Sequence, residues 1–218
     1  GLSLVGSEMC IRDRINRVSS VVQTWYAGQE FGNALVDILT GDVTPSGKIP
    51  TTFPINIEDT PAFNSYPGKD LQMNYSEKDL VGYKWYDKQN IETLYPFGYG
   101  LSYTDFEYSN LKINKIEKNK ISCKFSLKNT GAFLGSEISQ CYVSYQSVDV
   151  TEPIKKLQGF DKSLLKPREE KEIEIILSPE NFRVWDSKKK DWIIREGSYK
   201  ICIASSAEDI HLVDLINL

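Results

Sequence analysis

Hydrophobic and polar residues alternate with a period of two over much of the second half of the chain. Within residues 120–129 one face carries Ile121, Cys123, Phe125 and Leu127, and the other carries Ser122, Lys124, Ser126 and Lys128. Further runs at 138–146, 172–177 and 199–206 are separated by turns that contain Gly or Pro. About seven short strands over ~110 residues, with no helical stripe, are typical of an antiparallel β-sandwich. The lack of a Cys–Trp–Cys spacing favours a fibronectin-type over an immunoglobulin arrangement.

The pattern near the beginning of the chain is different. Residues 20–26 are a short, apolar, β-branched run that stops at Gly28, which predicts a buried strand, although a short helix fits the periodicity too. Next, one face of a predicted helix carries Phe31, Ala34, Leu35 and Ile38. A strand, a helix and the turn-rich residues 44–50 together look like the last βα unit of an α/β domain.

The ends of that helix carry their own signals. Glu30 lies near its start, where a carboxylate complements the helix dipole. Gly41 follows its end and acts as a helix stop. Gln29 and Glu30 form a polar pair at a strand-to-helix junction, a position where α/β domains bind ligands. Helix capping is the simpler interpretation, and the pair is not assigned as a site.

Two segments connect the α/β part to the strands. Residues 56–79 are polar and rich in Pro, Asn, Ser and Asp, which predicts a linker over a surface. Residues 81–106 then gather many aromatic side chains around Gly98 and Gly100. Glycines permit sharp turns there, and the aromatic rings can fix an irregular segment onto a neighbouring domain.

Composition excludes several classes of function. The chain has 26 basic and 30 acidic residues and a formal net charge of −4, without the clustered basic face that nucleic acid requires. The basic run Lys188, Lys189 and Lys190 lies between Asp186 and Asp191 and reads as a solvated turn. No apolar run approaches the ~18 residues of a membrane span, and no signal peptide is visible. The compartment and the oligomeric state are left open.

Metal and phosphate sites are not predicted. The four cysteines (Cys10, Cys123, Cys141 and Cys202) show no Cys-x-x-Cys spacing, and histidine occurs once, as His211. Buried free thiols in strands are the favoured interpretation. No Gly-x-Gly-x-x-Gly lies between a strand and a helix, so no cofactor is expected.

Residues 1–14 differ from the rest of the chain. They show neither a helical stripe nor strand alternation, and they resemble a translated sequencing-adapter read. We therefore interpret them as a non-native segment, with true sequence from about Ile15, and exclude them from the fold prediction.

Three blocks of sequence resemble family 3 glycoside hydrolases. Residues 27–54 (AGQEFGNALVDILTGDVTPSGKIPTTFP) are similar to the end of that family's α/β-sandwich domain. Residues 81–111 (VGYKWYDKQNIETLYPFGYGLSYTDFEYSNL) are similar to its inter-domain connection. From 127 to 206 the order LKNTG, GSEISQCYV, LQGFDKSLLKP and EGSYKICIASS resembles the fibronectin-III-like domain that closes many members.

The resemblance implies a mixed fold and a division into segments. A remnant of the α/β-sandwich domain would occupy residues 15–62, an inter-domain strap 63–103 and an all-β fibronectin-III-like sandwich 104–218. It also implies that the chain is the C-terminal portion of a retaining, exo-acting β-glucosidase, or of a near relative such as a β-xylosidase. Such an enzyme would take a β-linked oligosaccharide or glycoside as substrate, with no nucleic acid or membrane as partner.

Retaining glycosidases need two carboxylates about 5–5.5 Å apart, a nucleophile and a general acid/base. The resemblance places the aspartate nucleophile on an N-terminal (β/α)8 barrel and the glutamate acid/base earlier in the second domain. This chain is therefore expected to contain no catalytic residue. Other carboxylate pairs could be considered as substitutes for the nucleophile and the acid/base, and we interpret all of them as solvated surface residues: Glu77 with Asp79, Asp37 with Asp42, and Glu169 with Glu170.

Two further candidates are interpreted as structural. His211 is alone in a C-terminal strand, and no Gly-x-Ser-x-Gly elbow accompanies it. Aromatic side chains that could form a sugar-stacking platform surround the strap glycines, where packing is favoured: Trp25, Tyr83, Trp85, Tyr86, Tyr95, Tyr99 and Tyr103.

The rival function is a non-catalytic, fibronectin-III-like carbohydrate-binding or adhesion module. The α/β remnant discriminates between the two, because a free-standing module has no use for an exposed strand edge and an uncovered helix face. We expect residues 15–103 to be poorly stable alone and residues 104–218 to fold independently.

Overall fold

The computed structural model describes residues 15–68, 70, 72–146 and 152–218. The interpretation of residues 1–14, including Cys10, falls outside these residues. The chain divides into two compact units, one that extends to Val43 and one from Thr44 to Leu218.

The first unit contains the predicted helix, α1 (Phe31–Thr40), after a short 3-10 turn at Ile15–Arg17. The Glu30 carboxylate accepts a hydrogen bond of 2.6 Å from the Asn33 amide. At the other end, Gly41 adopts φ +85° and its N–H donates to the Ile38 carbonyl. The helix stop at Gly41 is thus confirmed, since a glycine permits the left-handed geometry that ends the helix, whereas the Glu30 side chain makes no capping hydrogen bond to the backbone.

The buried strand predicted for residues 20–26 is wrong. These residues form no strand and are largely exposed, and α1 has no buried residue. A strand of a parallel sheet is stable only with strands beside it and helices over its faces. The described residues of this unit contain no such partners, so the apolar pattern is present but the strand is not formed.

The second unit begins within the predicted α/β remnant and continues through the strap. Strand β1 (Phe53–Pro54) pairs with β2 (Thr93–Tyr95) in an antiparallel ribbon, and a 3-10 turn lies at Ile57–Asp59. Helix α2 (Tyr83–Gln89) lies between β1 and β2 in the sequence. It was not predicted. It ends at Asn90, whose positive φ of 53° places it in the left-handed region that asparagine tolerates.

A β-sandwich follows, as predicted. Its strands are β3 (Phe106–Ile116), β4 (Lys120–Asn129), β5 (Gly135–Tyr145), β6 (Lys156–Leu165), β7 (Glu170–Leu177), β10 (Ser198–Ala204) and β11 (Ile210–Asn217). One sheet has the order β11-β10-β5-β6 and the other β3-β4-β7, and all their neighbours are antiparallel. A separate hairpin, β8 (Arg183–Asp186) with β9 (Asp191–Ile194), lies between β7 and β10 in sequence.

The core between the two sheets follows the predicted alternation. On β4 the inward-facing side chains are almost completely buried: Ile121, Cys123, Phe125 and Leu127. They pack against inward residues of the opposite sheet, such as Ile201 and Ile203 of β10. Burial of such apolar side chains is the main force that holds the two sheets together.

The turn after β4 is fixed by a buried asparagine. The Asn129 side-chain oxygen accepts hydrogen bonds from the Thr104 hydroxyl (2.6 Å) and the Gly131 N–H (3.0 Å). Its amide nitrogen donates to the carbonyls of Phe133 and Leu165. A side chain at Gly131 would collide with Thr104. These contacts fix the strand-end turn at Asn129 and Gly131.

Candidate functional site

Two carboxylates of the candidate pairs, Glu169 and Asp42, accept hydrogen bonds from nearby groups of the chain. Glu169 keeps 32% of its side chain exposed, and a hydrogen bond from the Lys166 N–H lowers the pKa of its carboxyl group. Asp42 accepts a hydrogen bond of 2.7 Å from Thr40 beyond the end of α1. A general acid at neutral pH needs a raised pKa, so the lowered pKa of Glu169 is opposite to that requirement.

Asp87 on α2 is a carboxylate whose pKa is raised, mainly because burial disfavours its charged form. Its Oδ2 lies 2.5 Å from Nζ of Lys155, and both side chains are largely buried. Beside it the Tyr83 hydroxyl accepts a hydrogen bond of 2.8 Å from the Leu157 N–H. These contacts fasten the strap helix to the sandwich, and the alternation pattern gave no sign of them.

Several of the candidate aromatics pack against neighbouring groups, whereas Tyr103 is 46% exposed. The Tyr83 ring lies against Phe97 (5.0 Å between centroids) and edge-on to Tyr142 of β5 (5.8 Å). The Trp85 indole N–H donates to the Asp59 carbonyl at 3.0 Å. Tyr95 and Tyr99 stack on each other at 5.2 Å. The Tyr83 and Trp85 contacts are those expected of an inter-domain strap.

A glutamine of β5 connects the strap loop to the sandwich. The Gln140 amide donates to the carbonyls of Gly98 (3.0 Å) and Ser205 (2.6 Å), and its oxygen accepts from the Tyr142 hydroxyl. Gly98 has φ +79°, and a Cβ there would lie 2.2 Å from the Gln140 side chain. The glycine is required both for its backbone geometry and for this close approach.

A buried ion pair reinforces the same junction. Nζ of Lys48 lies 3.1 Å from Oε1 of Glu137 on β5 and donates to the Gly100 carbonyl at 3.0 Å. The Tyr108 hydroxyl donates to the same glutamate oxygen, and burial is the main reason that the pKa of Tyr108 is raised. Stacked on the Tyr108 ring, 4.3 Å between centroids, is His211. These contacts assign His211 to the packing of the sandwich.

Next to this pair is a cleft with a volume of about 410 Å³. Its lining includes Lys48, Thr93, Tyr99, Glu208 and Asp209. Its principal polar groups already have partners within the chain. The Glu208 carboxylate accepts from Thr93 at 2.8 Å, and Asp209 accepts from the Ser205 hydroxyl. The cleft therefore offers little unpaired chemistry for a ligand.

Metal and thiol chemistry receive no support among the described residues. That part of the chain contains no group of three or more His, Cys, Asp or Glu side chains placed to hold a metal ion. Cys123, Cys141 and Cys202 are free and buried, as predicted, on strands β4, β5 and β10. None of the described helices is both long and apolar enough to span a membrane.

Comparison with known families matches both parts of the chain. Residues 3–103 match the family described as Glycosyl hydrolase family 3 C-terminal domain. Residues 137–207 match the family described as Fibronectin type III-like domain. The two matches have the order and the fold types expected from the sequence, but the first includes residues 3–14, which were interpreted above as non-native.

Curated relatives match nearly the whole chain. A β-glucosidase of Bacteroides ovatus is 42% identical over 203 residues, which cover 90% of this chain and 27% of the relative. The thermostable β-glucosidase B of Acetivibrio thermocellus is 39% identical over 207 residues, which cover 94% of this chain and 27% of the relative. The chain thus spans about a quarter of the length of these relatives.

Solved structures of other β-glucosidases share the fold of most of this chain. A GH3 β-glucosidase of Bifidobacterium adolescentis aligns with TM-score 0.86 and 35% identity, over 90% of this chain and 29% of that one. The β-glucosidase 3B of Thermotoga neapolitana, in complex with α-D-glucose, aligns with TM-score 0.81 and 35% identity, over 88% of this chain and 27% of that one. The chain belongs to glycoside hydrolase family 3 and corresponds to the C-terminal part of its β-glucosidases.

Proposed function

We propose that this chain is the C-terminal part of a retaining, exo-acting β-glucosidase that hydrolyses terminal non-reducing β-D-glycosyl residues. The observation that carries the proposal is the near-complete match of the chain, 90% of its length at 42% identity, to the end of a β-glucosidase. The substrate would be a β-linked oligosaccharide or glycoside, bound by parts of the enzyme other than this chain.

The catalytic carboxylates would lie elsewhere in the enzyme. In a retaining glycosidase one carboxylate attacks the anomeric carbon while a protonated carboxyl group gives its proton to the departing oxygen. Water then releases the sugar from the enzyme, and the second carboxyl group acts as base. The pair Glu169 with Glu170 lies at the surface, and Glu169 has a lowered pKa rather than the raised one a general acid needs, so we assign this chain a structural role.

That role would be divided among three segments. Residues 15–62 would complete the α/β-sandwich domain, 63–103 would form the inter-domain strap and 104–218 the fibronectin-III-like domain. The contacts of Asp87 with Lys155 and of Gly98 with Gln140 support the assignment of the strap, because each fastens it to the sandwich. The uncovered apolar side chains of α1 would pack against the rest of the α/β domain.

A chimera tests the proposal. The C-terminal part of the Bacteroides ovatus β-glucosidase that aligns with this chain would be replaced by residues 15–218, and hydrolysis of a chromogenic β-glucoside would be measured. We expect activity within about tenfold of the parent enzyme, since no catalytic group is exchanged. A matched chimera with Gly98→Trp, which cannot seat the strap against Gln140, should lose folded enzyme.

The rival class, a non-catalytic carbohydrate-binding or adhesion module, makes a different prediction. Such a module would not support the catalytic domains of a relative, and the chimera would be inactive or insoluble while residues 15–218 remained folded alone. The uncovered face of α1 favours the enzyme, because a free-standing module would leave those apolar side chains exposed.

A further inference from the structure

Two of the cysteines that the structure describes face each other across the core of the sandwich. Cys123 on β4 and Cys141 on β5 belong to opposite sheets, and both are fully buried in the cluster between those sheets. Their thiol groups are hydrogen-bonded to each other. Cys202 on β10 lies instead in a separate cluster with Tyr142, on the other face of its sheet. The fold therefore brings one specific pair of thiols into contact and places the Cys202 thiol on the far side of the sheet.

A glycine beside this pair allows the two sheets to approach each other closely. Gly159 on β6 is the register partner of Cys141, and Ile175 on β7 is the register partner of Cys123. A Cβ at Gly159 would lie only 2.7 Å from the Ile175 side chain of the opposite sheet and 4.0 Å from the Cβ of Cys141. Packed sheets are ordinarily about 10 Å apart, whereas a disulfide needs Cα atoms within about 7 Å of each other. The missing side chain at Gly159 thus removes an obstacle to that approach at the level of the two cysteines.

We propose that Cys123 and Cys141 form a redox-dependent latch, a disulfide that joins the two sheets when the sandwich folds or opens in the presence of a small-molecule disulfide such as oxidised glutathione. One cysteine thiolate attacks a sulfur of that disulfide, forms a mixed disulfide and releases one glutathione thiolate. The other cysteine thiolate then attacks the protein sulfur of the mixed disulfide and releases the second glutathione thiolate. The two cysteine thiols together lose two electrons and two protons, and oxidised glutathione gains them to become two thiols.

Opening of the sandwich is the condition that controls the latch. In the closed sandwich both thiols are buried, and the hydrogen bond with Cys123, followed by burial, raises the pKa of the Cys141 thiol. Thiolate is the form that attacks, so a sandwich that closes with reduced thiols stays reduced. A disulfide formed before closure lies in the same buried core, where a reductant reaches it only after the sandwich opens again. The oxidation state is therefore set as the chain folds and is then retained.

The latch changes stability because it restricts the unfolded chain. Cys123 and Cys141 lie on consecutive strands, so the disulfide closes one short loop that contains the turn between β4 and β5. Closure of such a loop should raise the midpoint of thermal unfolding by about 5–10 °C for a unit of this size. One sequence would thus have two stabilities, according to the thiol–disulfide balance in which it folds.

Peptide mass spectrometry on the intact chain, with Cys10→Ser to remove the remaining thiol, tests the proposal. The chain is unfolded in urea, refolded with oxidised and reduced glutathione, alkylated and digested with trypsin without reduction. Trypsin separates the three sandwich cysteines, because lysines lie between them in the sequence. We expect the peptides of Cys123 and Cys141 to be joined by a disulfide and that of Cys202 to be alkylated. A folded, reduced sample incubated with oxidised glutathione without urea should stay reduced.

Thermal unfolding measures the effect of the latch, with each variant compared with itself after oxidising and after reducing refolding. The parent chain and Cys202→Ala should both unfold about 5–10 °C higher after oxidation. Cys123→Ala and Cys141→Ala should show no such difference. Because each comparison is internal to one variant, the packing lost with the sulfur atom cancels.

Three outcomes would overturn the proposal. One is a chain refolded with oxidised glutathione in which the Cys123 and Cys141 peptides stay separate. Another is pairing of Cys202 with either of them as often as they pair with each other. The third is an oxidised chain that unfolds at or below the temperature of the reduced chain. The peptide map of the parent chain decides the first two even where an alanine variant does not fold, and none of these readouts depends on the proposed function.

Discussion

Lys48, in the turn before β1, and Glu137 of β5 form an ion pair of 3.1 Å in which only 11% and 6% of the two side chains are exposed. The pair joins a turn near the α/β part to the central region of the sandwich. Both charges are also hydrogen-bonded, to the Gly100 carbonyl and by the Tyr108 hydroxyl. It ties the strap and the sandwich into one compact unit that begins at Thr44.

Removal of one partner of this pair should be costly. Lys48→Met leaves the Glu137 charge buried without its ammonium partner, and we expect a loss of about 3 kcal/mol in the free energy of unfolding. The double variant Lys48→Met, Glu137→Met should recover much of that loss. Urea denaturation followed by circular dichroism measures both, with Lys171→Met at an exposed pair as the control. Equal losses at both lysines would contradict the account.

The junction at Gly98 should be equally sensitive. Gly98→Ala places a methyl group against Gln140 at a backbone position with positive φ, so we expect a loss of about 2 kcal/mol. Gly47→Ala is the matched control, because no atom lies within 4 Å of its added methyl and its φ is not positive. Thermal unfolding of the two variants compares them directly. A Gly98→Ala variant as stable as Gly47→Ala would show that the strap is not held in this way.

The hairpin tip should titrate at an unusually low pH. Hydrogen bonds from the N–H groups of Lys189 and Lys188 lower the pKa of Asp186 below its usual 3.8. A carboxyl group whose pKa is lower in the folded state stabilises the turn above its ordinary pKa. That stabilisation is lost as the pH falls through the folded-state pKa.

Amide shifts of Lys188 and Lys189, recorded from pH 6 to pH 2, should therefore show a midpoint below 3.8. Asp186→Asn should remove this titration. A midpoint at or above the usual value would mean that the carboxylate does not accept these hydrogen bonds in solution.

The three cysteines of the sandwich should be unreactive. Their side chains are buried, and the pKa of the Cys141 thiol is raised, first by its hydrogen bond with Cys123 and then by burial. Thiolate is the reactive form, so alkylation in native buffer should leave these positions unmodified, whereas alkylation in urea should modify them. Peptide mass spectrometry measures the extent of alkylation at each cysteine. Rapid native labelling of Cys141 would contradict the packing of the core.

Limited proteolysis should separate the two compact units. Residues 15–43 expose most of their apolar side chains and have no buried helix face, so we expect early cleavage there. Residues 44–218, and not only the 104–218 expected from the sequence, should persist longer, because the strap packs on the sandwich through Tyr83 and Phe97. Proteolysis that removes the strap before residues 15–43 would overturn this expectation.

The sequence predicted those features that depend on local periodicity. The inward residues of β4 and the end of α1 at Gly41 were predicted correctly, because alternation and helix-stop signals are local. The strand at 20–26 was predicted wrongly, because a buried strand depends on partners that the described part of this unit lacks. Helix α2 was missed, because its aromatic-rich sequence shows no helical stripe.

The contacts that define the junction could not be predicted from pattern alone. Lys48 and Glu137 lie far apart in sequence, and only the folded chain brings them together. The same applies to Trp185 and Trp192, whose pairing depends on the register of the hairpin. The resemblance to family 3 glycoside hydrolases, in contrast, rested on long blocks of sequence and was confirmed.

The measurement that tests the central claim most directly is to read the source DNA upstream of the codon for Ile15. The account predicts an open frame that encodes a (β/α)8 barrel with its nucleophilic aspartate, followed by the rest of the α/β domain. A start codon near Ile15 with no barrel upstream would contradict it, and the chain would then be a non-catalytic module.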